Sequence, residues 1–237
     1  MRIVSFNVNQ TDLSHFMGDI QKDEVLATAD VLLLQEIEEY HSADDVKQTL
    51  LDYGFYHFSP TRLLKGGEHG IAILSKIPIQ DYEILELPAF NLFFRSRKRI
   101  GVRGFIDVAG ERVQVCNVHL DSRLNITDRI RQITPFIEHI RKDGGKIILG
   151  GDFNTIPLRL YKNLLPIGLH DQGKQFHEYL LQNGLSTFHV QPKYSMRSGK
   201  IRWLLDYIYV SNMEIKQYGV RAKIEKSDHH PVWADVE

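Results

Sequence analysis

The sequence predicts an α/β protein in which two β-sheets pack together with helices on the outside. Three observations carry this expectation. β-Branched and aromatic residues cluster over short spans along the chain, as strands require. Helical patterns separate some of these spans in the first part of the chain. The middle, Ile71 to Leu120, is mostly strand with short connections, which a simple parallel doubly wound sheet does not produce.

In order, strands are expected at Arg2 to Val8, Val31 to Glu36, Phe55 to Ser59, Gly70 to Ser75 and Val102 to Val108. They continue with Val113 to Leu120, Lys146 to Gly150, Trp203 to Val210 and Pro231 to Val236. Ser42-Ala43-Asp44-Asp45 has the form of a capping box with an acid in the third position, opening a helix that ends near Asp52. Leu124 to Arg141 is the clearest helix, with Ile126, Ile130, Ile133, Ile137 and Ile140 at three- and four-residue spacing. A further helix is expected over Phe176 to Gln182.

Composition sets bounds on function. With 43% apolar and 25% charged residues, the 237-residue chain is an ordinary globular protein able to bury a sizeable core. No linker, low-complexity stretch or internal repeat interrupts it, so one domain over 1–237 is expected, and a monomer is favoured. Twenty-nine Lys and Arg against thirty Asp and Glu give a net charge of −1. That excludes a global basic field, so any polyanion must be held by a local patch. The single cysteine, Cys116, excludes a disulfide framework, a Cys-rich zinc site and an iron–sulfur cluster. It has the opposite parity to His119 on its strand, the place of a buried, inert thiol. The first residues lack an apolar core of signal-peptide length, and the longest aliphatic run, Val31 to Leu34, is too short for a membrane-spanning segment. A reducing, cytoplasmic setting is expected.

Strand parity separates the polar residues that share an apolar face. Glu36 shares parity with Leu32 and Leu34, and Asn117 and His119 with Val113 and Val115. Asn7 follows Ile3, and Asp206 shares a face with Leu204, Ile208 and Val210. One strand-end Asn is ordinarily a turn former. Several carboxylates on one desolvated surface require mutual pairing or a cation.

Two loops sharpen the pattern. Lys146 to Gly150 is a buried strand that leads through Gly150-Gly151 into Asp152-Phe153-Asn154, where the glycines allow a tight turn and close backbone approach. Ser227-Asp228-His229-His230-Pro231 sets an acid and an imidazole directly before a strand. Carboxylates and amides with few imidazoles suit a hard cation, Mg²⁺ or Mn²⁺, whereas no close His/Cys spacing supports zinc.

Taken in order, seven segments resemble the endonuclease/exonuclease/phosphatase superfamily, the deoxyribonuclease-like metal-dependent phosphoesterases. They are Ser5-Phe6-Asn7-Val8, Leu34-Gln35-Glu36-Ile37, Gly70 to Ser75, Asn117-Val118-His119-Leu120, Gly151-Asp152-Phe153-Asn154, Leu205-Asp206-Tyr207-Ile208 and Ser227-Asp228-His229-x-Pro231. The resemblance spans nearly the whole chain and implies a four-layer α/β sandwich, two packed mixed sheets flanked by helices, with the site at one rim. It implies Glu36 as the principal metal carboxylate, Asn7 beside it, and Asp228 as a further metal group. Asp152 and Asn154 would position the attacking water and hold the phosphate. His229, held by Asp206, would face the phosphate or act as the general base, and His119 would face the leaving oxygen, with Glu68 orienting His119. Asn9 stands where the branch that cuts at abasic sites has an acid, and Leu204 where many relatives carry a polar residue. The run from His119 to Ser122, followed by Arg129 and Gln132, resembles the branch that cleaves tyrosyl–DNA bonds.

A phosphodiester repels nucleophiles and has a poor leaving group, so a site must neutralise charge, aim a water and stabilise the departing oxygen. The expected activity is therefore metal-dependent hydrolysis of a phosphodiester, with nucleic acid as the first substrate class. A lipid or small phosphate ester is the alternative, and an inactive binding module a lower one. Arg95, Arg97, Lys98, Arg99 and Arg103, beside Phe90, Phe93 and Phe94, read either as a solvated hairpin or as a phosphate grip, with Arg99 and Arg103 the substrate-binding candidates.

Overall fold

Among residues 1–40, 52–90, 98–155, 172–188, 194–221 and 227–237, which the computed structural model describes, the apolar periodicity resolves into two large sheets, one hairpin and three helices. The expected helix after Ser42 lies outside the described residues, as do Phe93, Phe94, Arg95 and Arg97.

The first sheet is built from β1 (Arg2–Asp12), β2 (Val31–Glu39), β3 (Phe55–Leu64), β4 (Gly67–Ser75), β12 (Ile215–Val220) and β13 (Val232–Val236), in the order β12-β13-β1-β2-β4-β3. The second contains β5 (Gln80–Glu86), β6 (Ile100–Val108), β7 (Glu111–His119), β8 (Lys146–Asp152) and β11 (Asp206–Ser211), ordered β11-β8-β7-β6-β5. β9 (Met196–Ser198) and β10 (Ile201–Trp203) form the hairpin. Both large sheets are mixed: β1–β2 and β7–β8 are parallel, and the other pairs antiparallel.

Three apolar cores define four layers. Helix α1 (Leu13–Lys22) covers the outer face of the first sheet, packing Phe16, Met17 and Ile20 on Val4, Leu32, Leu34 and Leu74. Between the sheets, Ile3, Val31, Leu33, Ile71 and Ile73 meet Val113, Val115, Ile148, Ile208 and Val210. Helices α2 (Ile126–Lys142) and α3 (Gln172–Gln182) cover the second sheet, with Ile133, Ile137, Ile140, Phe176 and Leu180 buried on Cys116, Val118 and Leu149. The isoleucine stripe of α2 thus does what its spacing predicts. Asn125 caps that helix by accepting from the Asp128 N–H, and Arg141 and Lys142 in its last turn complement the helix dipole. No described helix is long and apolar enough to cross a membrane.

Several boundaries differ from expectation. β1 runs on to Asp12, and the strand expected from Trp203 to Val210 is broken, with β10 ending at Trp203 and β11 starting at Asp206. Across the break the Leu205 N–H donates to Ser195 Oγ while the Leu205 carbonyl accepts from Phe153, so the chain leaves the hairpin and enters the second sheet there. Leu204 packs with the α2/α3 core rather than with Ile208 and Val210. The edge strands β5 and β12 were not expected, because their mostly exposed residues show no clean alternation. The glycine pair before Asp152 lies inside β8 rather than in a turn. A Cβ on Gly151 would run into the Val118 carbonyl, so close strand approach is what demands glycine there.

Candidate active site

The carboxyl ends of β1, β2, β7 and β8 and the first residue of β11 converge at one rim of the sandwich. Buried amides tie the two sheets together just beneath it. Asn117 donates from β7 to the carbonyls of Leu34 and Ala72, both at 2.9 Å, and accepts from Gln35 at 2.7 Å. This bracing fixes the height of each sheet relative to the other and hence the geometry above.

Asp152 is the centre of the cluster. Its carboxylate accepts from Asn7 at 3.0 Å, from the Asn154 side chain at 3.0 Å and from the Asn154 N–H at 2.9 Å. Asn154, at φ 50, also donates to the Leu120 carbonyl, which locks the loop after β8 against the end of β7. Burial and the neighbouring Asp206 charge push the Asp152 carboxyl above the usual carboxylate range.

Glu36 reaches the same place by a bulge. The β2–β4 register slips between Gln35 and Ile37, and Glu36 takes φ 58. Simple alternation would send it under α1 with Leu32 and Leu34; the extra residue turns it to the rim instead. There its carboxylate lies 3.5 Å from Asn7 Nδ2 and 3.7 Å from His119 Nε2.

His119 is held from behind. Arg99 Nη1 lies 3.0 Å from its Nδ1, and a guanidinium only donates, so Nδ1 is the acceptor. Its Nε2 lies 3.5 Å from Asp152. Glu68 does not take the orienting part the resemblance gave it: it is next to Glu39, whose carboxyl burial and the Glu68 charge push up.

Asp206 and His229, 23 residues apart in sequence, are in contact at 2.8 Å through His229 Nδ1. Asp206 also accepts from Ser195 Oγ at 2.6 Å, a buried partner that sequence reasoning missed. Burial alone would lower the His229 pKa, but the charges of Asp206, Asp152 and Asp228 and the bond to Asp206 push it up to about 10. Its Nε2 lies 3.9 Å from Asp152. Asp228 is half-buried beside it.

The structure therefore brings Asn7, Glu36, His119, Asp152, Asn154, Asp206 and His229 together, with Asp228 adjoining. Arg99 enters the cluster through His119. Arg103 does not: on β6 it bonds Glu83, Gln114 and Asp143. It is a buried structural cation, and the basic run is divided because neighbouring strand residues serve different surroundings. Lys98 pairs with Glu86. Arg129 and Gln132, both buried on α2, brace the loop after β7: Arg129 donates to the Leu124 carbonyl, and Gln132 accepts from the Asp121 N–H.

The donor set fits a hard divalent cation. Ligand atoms of Asp152, Asp206 and His229 lie within 4.8 Å of one another. Asp206 Oδ2 and His229 Nδ1 are hydrogen-bonded to each other, whereas Asp206 Oδ1 is buried with no hydrogen-bond partner among the described residues. Glu36 and Asp152 also turn carboxylate oxygens to one place, where the Asn7 side-chain N–H donates to Asp152 and lies 3.5 Å from Glu36 while Asn7 Oδ1 accepts from the Asn9 N–H.

A rim of carboxylates, amides and imidazoles on two packed sheets defines a class of phosphate-ester chemistry. The chain belongs to the Endonuclease/Exonuclease/phosphatase family, whose model matches residues 4–229. Its members are in general hydrolytic phosphoesterases that depend on a divalent metal. Among solved structures, the endonuclease/exonuclease/phosphatase from Beutenbergia cavernae is similar at TM-score 0.77 and 17% identity, covering 100% of this chain and 71% of that one. The human Nocturnin catalytic domain with bound sulfate matches at TM-score 0.74 and 17% identity, covering 100% and 93%. Sphingomyelinase C from Streptomyces griseocarneus matches at TM-score 0.68 and 18% identity, covering 99% and 98%. At such identities the likeness is one of fold. No curated protein sequence matches the chain.

Proposed function

We propose that residues 1–237 form one catalytic domain, a cytoplasmic monomer that hydrolyses a phosphodiester by in-line attack of water, with nucleic acid as the substrate class. The observation that carries this reading is the convergence of Glu36, His119, Asp152 and the Asp206–His229 pair on one rim. Asn154 holds Asp152 by two hydrogen bonds, so its carboxylate is aimed at an attacking water. A carboxyl raised by burial is matched to taking that proton near neutral pH. His229, held by Asp206 and kept cationic, donates to a non-bridging phosphoryl oxygen. His119 Nε2–H faces the leaving oxygen. Mg²⁺ or Mn²⁺, held by Glu36 with Asn7 and Asp228, would neutralise phosphate charge.

A second reading, a lipid or small phosphate ester, has its own observation. A cleft of about 690 Å³ adjoins the site at Thr155 and Leu204 and is lined by Leu181, Leu185, Trp203 and Tyr209. Hydrolysis of bis(p-nitrophenyl) phosphate, single-stranded DNA, RNA and sphingomyelin, with Mg²⁺ or Mn²⁺ and then with EDTA, tests both. Metal-dependent cleavage that Glu36→Gln and Asp152→Asn abolish is expected. Turnover indifferent to EDTA, or none on any diester, would overturn the reading, and sphingomyelin as the only substrate would favour the second.

A further inference from the structure

His69 stands at the mouth of this site and has no part in the chemistry above. On β4, Ile71 and Ile73 belong to the core between the sheets, whereas Ala72 and Leu74 face α1. Alternation puts His69 on the inter-sheet face, at the rim end of the strand. Its ladder partner on β2 is Glu38, and the bulge that carries Glu36 lies one step further in, between the Gln35–Ile71 and Ile37–Gly70 pairs. Its partner on β3 is Arg62, and directly opposed residues share a face. The imidazole, 8% exposed, therefore lies beside Glu38 and Arg62 on neighbouring strands and feels the charges of Glu36 and Arg99 from the site.

Hydrogen bonding decides which ring nitrogen is available. Thr61 is the extra residue of β3, between Pro60 and Arg62. Its hydroxyl lies 3.0 Å from the His69 carbonyl and 3.3 Å from His69 Nδ1. A hydroxyl has one hydrogen and a carbonyl only accepts, so that hydrogen goes to the carbonyl and Nδ1–H donates to the hydroxyl oxygen. Burial, the largest influence on the ring, holds its pKa below the ordinary value and keeps it neutral. Nε2 then carries a lone pair, and no hydrogen bond from a described residue reaches it. His119 has the opposite arrangement, with its acceptor nitrogen used by Arg99.

A bare imidazole nitrogen has nothing to offer a phosphate, whose oxygens all accept. Its complement is a donor on the alcohol part of the ester. We propose that His69 is a substrate-binding residue whose Nε2 accepts a hydrogen bond from a hydroxyl beside the scissile phosphate. The preferred substrate is then an ester of ribose or another polyol, not of deoxyribose. This rests on the phosphodiesterase reading.

The test compares wild type with His69→Asn, which keeps a donor for Thr61 but removes the outward acceptor, and with His69→Gln, which restores an acceptor near the Nε2 position. Substrates are a short single-stranded RNA and its 2′-fluoro counterpart, with glycerophosphoinositol for a polyol source and bis(p-nitrophenyl) phosphate as a donor-free reference. Wild type is expected to prefer the 2′-hydroxyl RNA or the polyol ester by about 3- to 10-fold in kcat/KM over the donor-free diester. His69→Asn should bring that ratio toward one, and His69→Gln should recover most of it. A wild-type ratio near one, or a ratio that His69→Asn leaves as in wild type, overturns the assignment. Should His69→Asn fail to fold, the wild-type and His69→Gln ratios still decide. No hydrolysis of any diester ends both readings, whereas hydrolysis without discrimination ends only this one.

Discussion

The contact between Arg99 and His119 changes what that histidine is able to do. With Nδ1 accepting from a guanidinium, the neutral ring carries its proton on Nε2, directed at Asp152 and Glu36. Handing that proton to a leaving alkoxide would leave an imidazolate, so His119 is better suited to donate a hydrogen bond than to transfer a proton. Removing one such donor typically costs ~10²–10³-fold in kcat. His119→Ala should lose about that much, with only a shallow increase from nitrophenyl to alkyl leaving groups. A loss that rises steeply with leaving-group basicity would instead identify general-acid transfer. The Asp206–His229 pair yields a prediction on stability. The folded pKa of His229 is raised above its unfolded value, so its contribution is fully present below about pH 6.5 and lost as pH rises through about 10. In EDTA, the gap in unfolding free energy between wild type and His229→Gln should therefore be wide at pH 6 and narrower at pH 10. A gap independent of pH would mean that the pair is an ordinary neutral hydrogen bond.

At the level of elements, alternation along the strands found Asn7, Asn117, His119 and Asp206, because β1, β7 and β11 keep their period up to the rim. It misdirected Glu36, because one added residue inverts the facing of all that follows and a bulge leaves no mark in the apolar pattern. Ser195 and His69 were illegible for another reason, and Arg99 was legible only as a substrate-binding candidate: their roles depend on hydrogen bonds made across the fold, to Asp206, Thr61 and His119. The apolar spacing of Leu13, Phe16, Met17 and Ile20 was available, and all four are buried in α1. The bulge is itself testable. A non-glycine residue in the left-handed region costs roughly 1–2 kcal/mol, and Glu36 is held there at φ 58. Glu36→Gly should thus be more stable than Glu36→Ala by about 1 kcal/mol in urea unfolding, although both lose the carboxylate. Equal stability would indicate that the alanine variant straightens the strand by shifting register.

For the molecule as a whole, function is a property of a rim that no single stretch of chain contains, since its groups come from positions 7 to 229 and from both sheets. Motif order made the architecture legible, whereas composition gave only its class; a net charge of −1 says nothing of where the acids gather. They gather at the rim, where Asp206 is fully buried and Asp152 nearly so, with Glu36 beside them. Concentrating carboxylates in a desolvated place costs stability unless a cation offsets it. A divalent ion that binds the native state alone should stabilise it by mass action, about 2.7 kcal/mol at one hundred times its Kd. For a chain of this size that corresponds to a Tm increase of about 5–10 °C. Thermal unfolding in EDTA, then with Mg²⁺ or Mn²⁺ at increasing concentration, should show this rise, and NaCl of matched ionic strength should not. Glu36→Gln should move the titration to higher metal concentration without lowering the Tm in EDTA, because removing one of several crowded charges relieves repulsion. An unshifted titration in that variant would move the cation from Glu36 to the Asp152, Asp206 and His229 trio, where Asp206→Asn should abolish the effect instead.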